Sequence, residues 1–250
     1  MQRPYISVVS AVFNEEKNIL RTLQSLNNQD FKNFEYIIID NNSTDKTIKI
    51  INEFVSNFKI TLISESDDGI YFAWNKALKI FNGEYISFLG AGDEYINSSS
   101  LQDLVNESYK DHYDYIHAKY ICNNRIYGEI LLWDKFKKYM TIMHCGALMS
   151  KNFINTQGFF NEKYQYAADY EYLLRSKGLI KHLFINKALI NMIGYGVSNT
   201  NPKVIIEAYQ IKKDLAINSG FENIRQLLFL MIKFYLKKIK YSRFLGNFNK

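Results

Sequence analysis

Four short apolar runs divide the first ninety residues, and the stretches between them have helical spacing. Tyr5–Val12, Phe34–Ile39, Ile60–Ser64 and Glu84–Leu89 are brief and rich in β-branched residues, so they read as buried strands. Between them, Glu15–Asn27 places Ile19, Leu20, Leu23 and Leu26 on one helical face. Thr47–Phe58 and Ile70–Phe81 have the same periodicity, and Ser43 and Thr44 are helix-start residues. Strands alternating with helices at this spacing predict βαβ units, right-handed crossovers and a mostly parallel sheet. Ligands of such sheets sit beyond the carboxyl ends of the strands.

After about residue 100 the alternation weakens. Tyr113–Ile121 and Ile126–Trp133 read as strands, with antiparallel pairing one option, and Gly146–Ser150 and Lys187–Ile193 as two more. Asp169–Lys177 reads as a short helix, and 203–218 and 223–245 as two further helices. There is no internal repeat. Turn signals cluster at Asn199–Pro202, which divides the chain into 1–200 and 201–250. A length of 250 residues suits one large domain with such an appendage.

The net charge of +6 is local. Residues 224–250 hold seven of the 31 basic residues and no acid, which leaves the rest nearly neutral. On a helical wheel Lys233, Lys237 and Lys240 share one side, and Leu227, Leu228, Met231, Phe234 and Tyr235 the other. The apolar run Leu227–Ile232 is far short of the ~20 residues that a membrane span requires. An interfacial helix on an anionic membrane and a helix packed on the body with a solvated basic face both satisfy this pattern. The two cysteines, Cys122 and Cys145, cannot form a disulfide scaffold, and with four histidines no zinc set can be argued from spacing. The chain enters a strand-like run at once, so the expected location is cytoplasmic, with peripheral attachment to the inner membrane face if the tail is interfacial.

Acids and small residues gather at the strand ends: Phe13-Asn14-Glu15, Asp40 to Asp45, Glu65 to Gly69, and Gly90 to Glu94. No GxGxxG or GxxxxGK[ST] pattern is present, which disfavours dinucleotide and P-loop sites. Taken alone, these residues have ordinary readings. Asp40 would cap the helix near Thr44, although Ser43 and Thr44 are better placed for it. Phe13 would be core, Glu15 a first-turn acid, and Asp67 and Gly69 parts of a turn. Lys76 would lie on an exposed helix face, Asp93 in a turn, and His144 in the core. Asp169 would be an N-cap.

As an ordered set, the motifs resemble family 2 glycosyltransferases of the GT-A fold. VVSAVFNEEKNILRTLQSL (8–26) is similar to the opening strand and helix of that family, and EYIIIDNNSTDKT (35–47) to its second strand and turn. SESDDGIYFAWNKAL (64–78) is similar to its S-E-x-D-x-G-I-Y-D-A-M-N-K-G segment. EYISFLGAGDEY (84–95) stands where the D-x-D metal motif is found. AADYEYLLR (167–175) matches the region of the catalytic acid, and GYGVS (194–198) a late turn. The resemblance spans roughly residues 5–200 and implies an α/β fold with a GT-A Rossmann-like, mostly parallel sheet flanked by helices, followed by a C-terminal helical extension.

That resemblance implies an inverting transfer of a sugar from a nucleoside diphosphate donor, UDP-linked, to a hydroxyl of a glycan or polyprenyl-linked acceptor in polysaccharide biosynthesis. It makes Asp169 the base that takes the acceptor proton, with Glu171 the runner-up. It assigns donor contacts to Ala11 (through its backbone), Phe13 (stacking on the base), Glu15, Asp40 (accepting a uracil N3–H), Asp67, Gly69 and Asn75. Asp93 would hold a divalent metal, Mn²⁺ or Mg²⁺. Two departures bear on this assignment: Phe72 stands where an Asp is usual, and Gly90 and Gly92 replace acids. A catalytically silent nucleotide-sugar-binding relative is the alternative. A nucleotidyltransferase would need a Gly-rich loop in place of Phe13-Asn14-Glu15-Glu16, and nucleic-acid binding would explain the tail alone.

Overall fold

The computed structural model describes residues 3–194 and 201–246, with 237 and 239–246 as backbone only. The turn expected at 194–198 therefore lies outside the described residues after Gly194, as does the first half of the boundary at Asn199–Pro202.

All four early strands form: β1 (Ile6–Val12), β2 (Phe34–Asp40), β3 (Lys59–Ser64) and β4 (Tyr85–Phe88). They pair in parallel in the order β3-β2-β1-β4. The connecting helices are α1 (Ile19–Asn27), α2 (Thr47–Glu53) and α3 (Ile70–Ile80). Consecutive strand residues face opposite sides. Val9, Ile37, Ile39 and Phe88 enter one core with Ala77 of α3. Val8, Tyr36 and Ile38 enter a second core with Leu23 and Leu26 of α1. Burial on both faces is why these strands read as unbroken apolar runs.

The sheet continues as β8-β6-β9-β5, with β7 on the side of β6. These are β5 (Glu94–Tyr95), β6 (Tyr115–Cys122), β7 (Arg125–Tyr127), β8 (Leu148–Ser150) and β9 (His182–Met192). β8 joins β4 and β6 antiparallel, and β6 pairs with β9 in parallel across register shifts at Ala118–Tyr120. The other helices are α4 (Ser100–Ser108), α5 (Trp133–Phe136), α6 (Lys151–Gln157), α7 (Ala168–Leu174), α8 (Lys203–Asp214) and α9 (Gly220–Gly246). α8 packs on α7, and α9 on α8.

Three differences from expectation have local causes. Helix α2 stops at Glu53 because the chain turns extended at Phe54 and sends Phe58 against Phe34 (ring centroids 4.9 Å apart). The strand expected at Ile126–Trp133 is reduced to β7: Ile126, Ile130 and Leu132 are exposed, and Trp133 begins a helical turn. Elements β5, α4 and α6 were not expected, being short or masked by polar residues.

Gly83 leads into β4 where backbones meet. A Cβ there would lie 2.5 Å from the Tyr85 carbonyl oxygen and 2.6 Å from the Ser7 nitrogen, and its own N–H donates to Ser7 Oγ at 2.9 Å. Backbone cannot yield as a side-chain tip can, so Gly83→Ala should destabilise by about 1–3 kcal/mol or more. Urea unfolding should show a lower midpoint at an unchanged slope.

Candidate active site

The loops leaving β1, β2, β3 and β4 lie on one edge of the sheet, as parallel strands require. The first two are stitched together. Asn14 N–H donates to Ser43 Oγ (2.8 Å), Glu15 N–H to Thr47 Oγ1 (2.7 Å) and Thr44 N–H to Asn14 Oδ1 (2.9 Å). Asn14 and Asn42 adopt left-handed backbone, φ 54° and 50°, which Asn tolerates better than most residues. The ring of Phe13 stands 56% exposed at the head of this edge, so it is not core. Ala11 is partly buried at the end of β1. The Glu15 carboxylate accepts from Asn18 Nδ2 (2.7 Å), and the Glu15 carbonyl accepts from the Asn18 and Ile19 amides at the start of α1.

Several expected donor contacts are spent inside the protein. Asp40 has no exposed surface. Its carboxylate accepts from Ser43 N–H (2.9 Å), Ser43 Oγ and Ser64 Oγ (2.6 Å). It secures the turn and, as it stands, offers no oxygen to a base. Asn75 is likewise bonded within the protein. It projects from α3 into the 160–162 segment, where Nδ2 donates to the Phe160 carbonyl (3.0 Å) and Glu162 Oε1 (2.8 Å), and Oδ1 accepts from Phe160 N–H (2.9 Å). Lys76 braces the β3–α3 loop through the Ser66 carbonyl (2.9 Å) and Glu65 (3.1 Å).

Asp67 sits deep in that loop. Its N–H donates to Asn41 Oδ1 (2.8 Å), and its Oδ1 accepts from Gly69 N–H (3.1 Å). Burial pushes its carboxyl up from the usual range. Gly69 caps α3 with φ 137° and ψ 176°, a conformation reserved for glycine. Beside it a cleft of about 270 Å³ opens between Gly69–Phe72 and Glu162–Gln165. Phe72, where an acid is usual, lines this cleft.

The expected metal ligand, Asp93, is engaged inside the protein. Asp93 is buried, with Oδ2 accepting from Cys145 Sγ (3.1 Å) and Oδ1 from Ile193 N–H (3.2 Å). Glu94 pairs with Arg21 and accepts from Asn191 Nδ2 (2.8 Å). Among the described residues no cluster of three His, Cys, Asp or Glu side chains could hold a metal. The one carboxylate left in the motif thus turns inward, and among the described residues the protein's side chains alone do not build a metal cage.

Asp169 lies in the first turn of α7, after the N-cap position Ala167, so it is not the cap. It is half-buried, and its Oδ1 accepts from Tyr71 Oη (3.1 Å) and Tyr170 N–H (2.9 Å). Tyr71 also lines the cleft. Burial pushes the Asp169 carboxyl up, partly opposed by these two hydrogen bonds. Glu171 is committed elsewhere, in an ion pair with Arg175 at 3.1 Å. Arg175 holds the carbonyls of Gln157 (2.6 Å) and Phe159 (2.8 Å), so it braces that loop. His144 is fully enclosed against Phe88 and Trp74, and burial holds it neutral with a pKa of about 3. Sequence reasoning gave no role to Tyr71, although the residue falls inside a quoted motif. It also missed Cys145 on Asp93, for which no local signal exists.

A family profile described as Glycosyl transferase family 2 matches residues 7–167, more than half of the chain. Chondroitin synthase of Escherichia coli is 28% identical over 96% of this chain, which spans only 34% of that protein. Among solved structures, S. aureus TarS 1-349 in complex with UDP-GlcNAc superposes with a TM-score of 0.70 at 20% identity, covering 88% of this chain and 69% of TarS. Glucosyl-3-phosphoglycerate synthase from Mycobacterium tuberculosis, with Mn²⁺ and UDP, gives a TM-score of 0.64 at 14% identity, covering 87% of this chain and 82% of that one.

A carboxyl raised by burial stabilises the fold below its unfolded value of ~3.9 and loses that contribution as pH rises through the higher native value. Asp169→Asn keeps an oxygen for Tyr71 without the buried charge. The variant should therefore melt a few degrees above the parent at pH 8 (~2–4 °C per kcal/mol), with no advantage near pH 3.5. An equal or lower melting temperature at pH 8 would contradict this account of Asp169.

Proposed function

This chain belongs to glycosyl transferase family 2, and from that premise we propose that it moves a sugar from a UDP-linked donor to a hydroxyl of a glycan or lipid-linked acceptor, with inversion. The observation that carries this reading is the half-buried, basicity-raised carboxylate of Asp169, bonded to a tyrosine that lines the cleft at the carboxyl edge of the sheet. A carboxylate so tuned suits removal of a hydroxyl proton. The acceptor O–H gives its proton to Asp169 while its oxygen bonds to the anomeric carbon. The bond from that carbon to the phosphate oxygen breaks, and UDP leaves with the electron pair. The UDP-GlcNAc bound to TarS supports the donor class, and the likeness to chondroitin synthase supports a glycan acceptor.

In this reading Phe13 stacks on the base, an exposed ring at a strand end being suited to that at ~1–3 kcal/mol. Ala11 and Gly69 offer backbone at close approach, and Asp67 with Glu15 shapes the donor loop. Asp40 acts through the turn it secures.

Residues 201–250 form the extension, and a membrane surface is its proposed partner. Helix α9 exposes Phe221, Leu228, Phe229, Ile232, Tyr235 and Leu236, a stripe along one side. Leu227, Met231 and Phe234, which the helical wheel grouped with Leu228 and Tyr235, are only partly exposed. The exposed cations Lys233 and Lys238 accompany the stripe. No helix among the described residues is long and apolar enough to cross a membrane. This geometry suits an interfacial helix near a lipid-linked acceptor.

Two experiments test the proposal. In calorimetry UDP should bind wild type and Asp169→Asn alike, while transfer falls by about 10²–10⁴-fold in the variant. Wild-type turnover in Asp169→Asn would remove the base assignment. Mn²⁺ titrated alone should bind only weakly, because Asp93 is buried and bonded to Cys145 and Ile193. In the second experiment, the chain should float with phosphatidylglycerol vesicles. Changing Leu228, Ile232 and Leu236 together to Ser should weaken that binding by about tenfold or more. Undiminished flotation of the triple variant would eliminate the membrane role of this face.

A further inference from the structure

The segment that leads to Asp169, behind the cleft-lining Tyr71, is held from outside the matched family region. Glu207, on α8, reaches back to three successive amides. Its Oε1 accepts from Gln165 N–H (2.7 Å), and its Oε2 from Tyr166 N–H (2.7 Å) and Ala167 N–H (2.9 Å). A carboxylate taking three N–H bonds makes the strongest kind of main-chain clamp, each bond being charge-assisted. The amides it holds end two residues before Asp169. Asp214 lies two turns further along the same face of α8. It accepts from Lys163 Nζ and Tyr164 Oη, each at 2.7 Å. Between them Ile211 is fully buried in the core that contains Tyr71 and Ala168. One face of the extension therefore grips 163–167, a strip whose residues 163–165 line the cleft and whose end leads into α7.

We propose that Glu207 is a positioning residue for the base: it fixes the 165–167 backbone so that Asp169 meets Tyr71 at the cleft. The proposal rests on Asp169 being the base. Geometry alone distinguishes this clamp from an ordinary surface contact, since ordinary loop–helix packing does not require three consecutive amides on one carboxylate. The Glu207 charge also bears on Asp169, adding to the upward push that burial supplies first. The other groups facing Asp169 are Tyr71 from α3 and Tyr115 from β6. Burial raises both phenols well above their usual range, so they stay uncharged through neutral pH.

The test uses the full chain with Glu207→Ala, Glu207→Gln and Asp169→Asn. Hydrogen–deuterium exchange should accelerate at 165–167 by about tenfold or more in Glu207→Ala. It should accelerate less in Glu207→Gln, which keeps one accepting oxygen. The carboxyl ¹³C titration of Asp169, assigned by its loss in Asp169→Asn, should move to lower pH in both Glu207 variants because a nearby negative charge is gone. With UDP-GlcNAc as probe, kcat for UDP release should fall by about 10- to 100-fold in Glu207→Ala at little change in KM, with partial recovery in Glu207→Gln. Unchanged exchange in Glu207→Ala overturns the clamp. Faster exchange with an unmoved Asp169 titration overturns the positioning role and leaves Glu207 a plain structural contact. If exchange and titration both move but Asp169→Asn still turns over, the reading of the reaction fails while the clamp stands.

Discussion

Burial of the parallel sheet on both faces is the constraint from which the rest follows. Strands β1, β2 and β4 are enclosed by helices on each side, so their middles must be apolar. The exceptions are paired internally: Ser10 Oγ donates to the Leu89 carbonyl (2.5 Å) and accepts from Tyr36 Oη (2.7 Å). Polar chemistry is thereby expelled to the strand ends. At the carboxyl ends, parallel pairing brings four loops to one edge. Clustered polar residues there follow from the topology, before any selection for catalysis.

An edge crowded with polar loops must be held still, and much of its chemistry is used for that purpose. Asp40, Asn75, Lys76 and Asn14 all have their polar atoms directed at neighbouring loops. Other side chains remain open at this edge: the Phe13 ring is exposed, and Gly69–Phe72 rim the cleft into which the Tyr71–Asp169 hydrogen bond is set back. A buried carboxylate with a raised pKa costs stability, and that cost is sustained by the packing of α7 between the sheet and α8. Rigidity of the inward set is what lets the outward set keep its geometry.

The sequence made the front half legible because its signals are local. Strand and helix periods within 5–89 needed no knowledge of distant residues, and each of those elements formed, although α2 ends early because Phe58 is drawn to Phe34. The back half depends more on non-local contacts, and there the 126–133 run fails as a strand because little of it finds a partner. The candidate site shows the same split. Asp169, Phe13 and Gly69 could be picked out from their motif positions. The direction of a side chain could not: nothing local to residue 75 says that its amide turns toward Phe160, and nothing near 207 points to residues forty positions earlier.

The departure at residues 90–93 is best understood as one coordinated change. A Cβ at Gly90 would stand 2.6 Å from Asp93 Oδ2, and a Cβ at Gly92 would stand 2.5 Å from Ile193 Cδ1. Gly92 also has φ 90°, where a side chain is strained. Neither acid of the usual motif can therefore be restored singly without moving the Asp93 carboxylate or the Ile193 side chain. With both positions reduced to glycine, Asp93 can fold inward, where it receives the Cys145 thiol and the Ile193 amide. Burial then raises its pKa, which weakens its charge further. The loop has thus exchanged a cluster of exposed negative charge for a tie between β4 and the end of β9. A donor diphosphate approaching this edge meets fewer fixed anions than the usual motif would present, so less positive charge is needed there to offset its own.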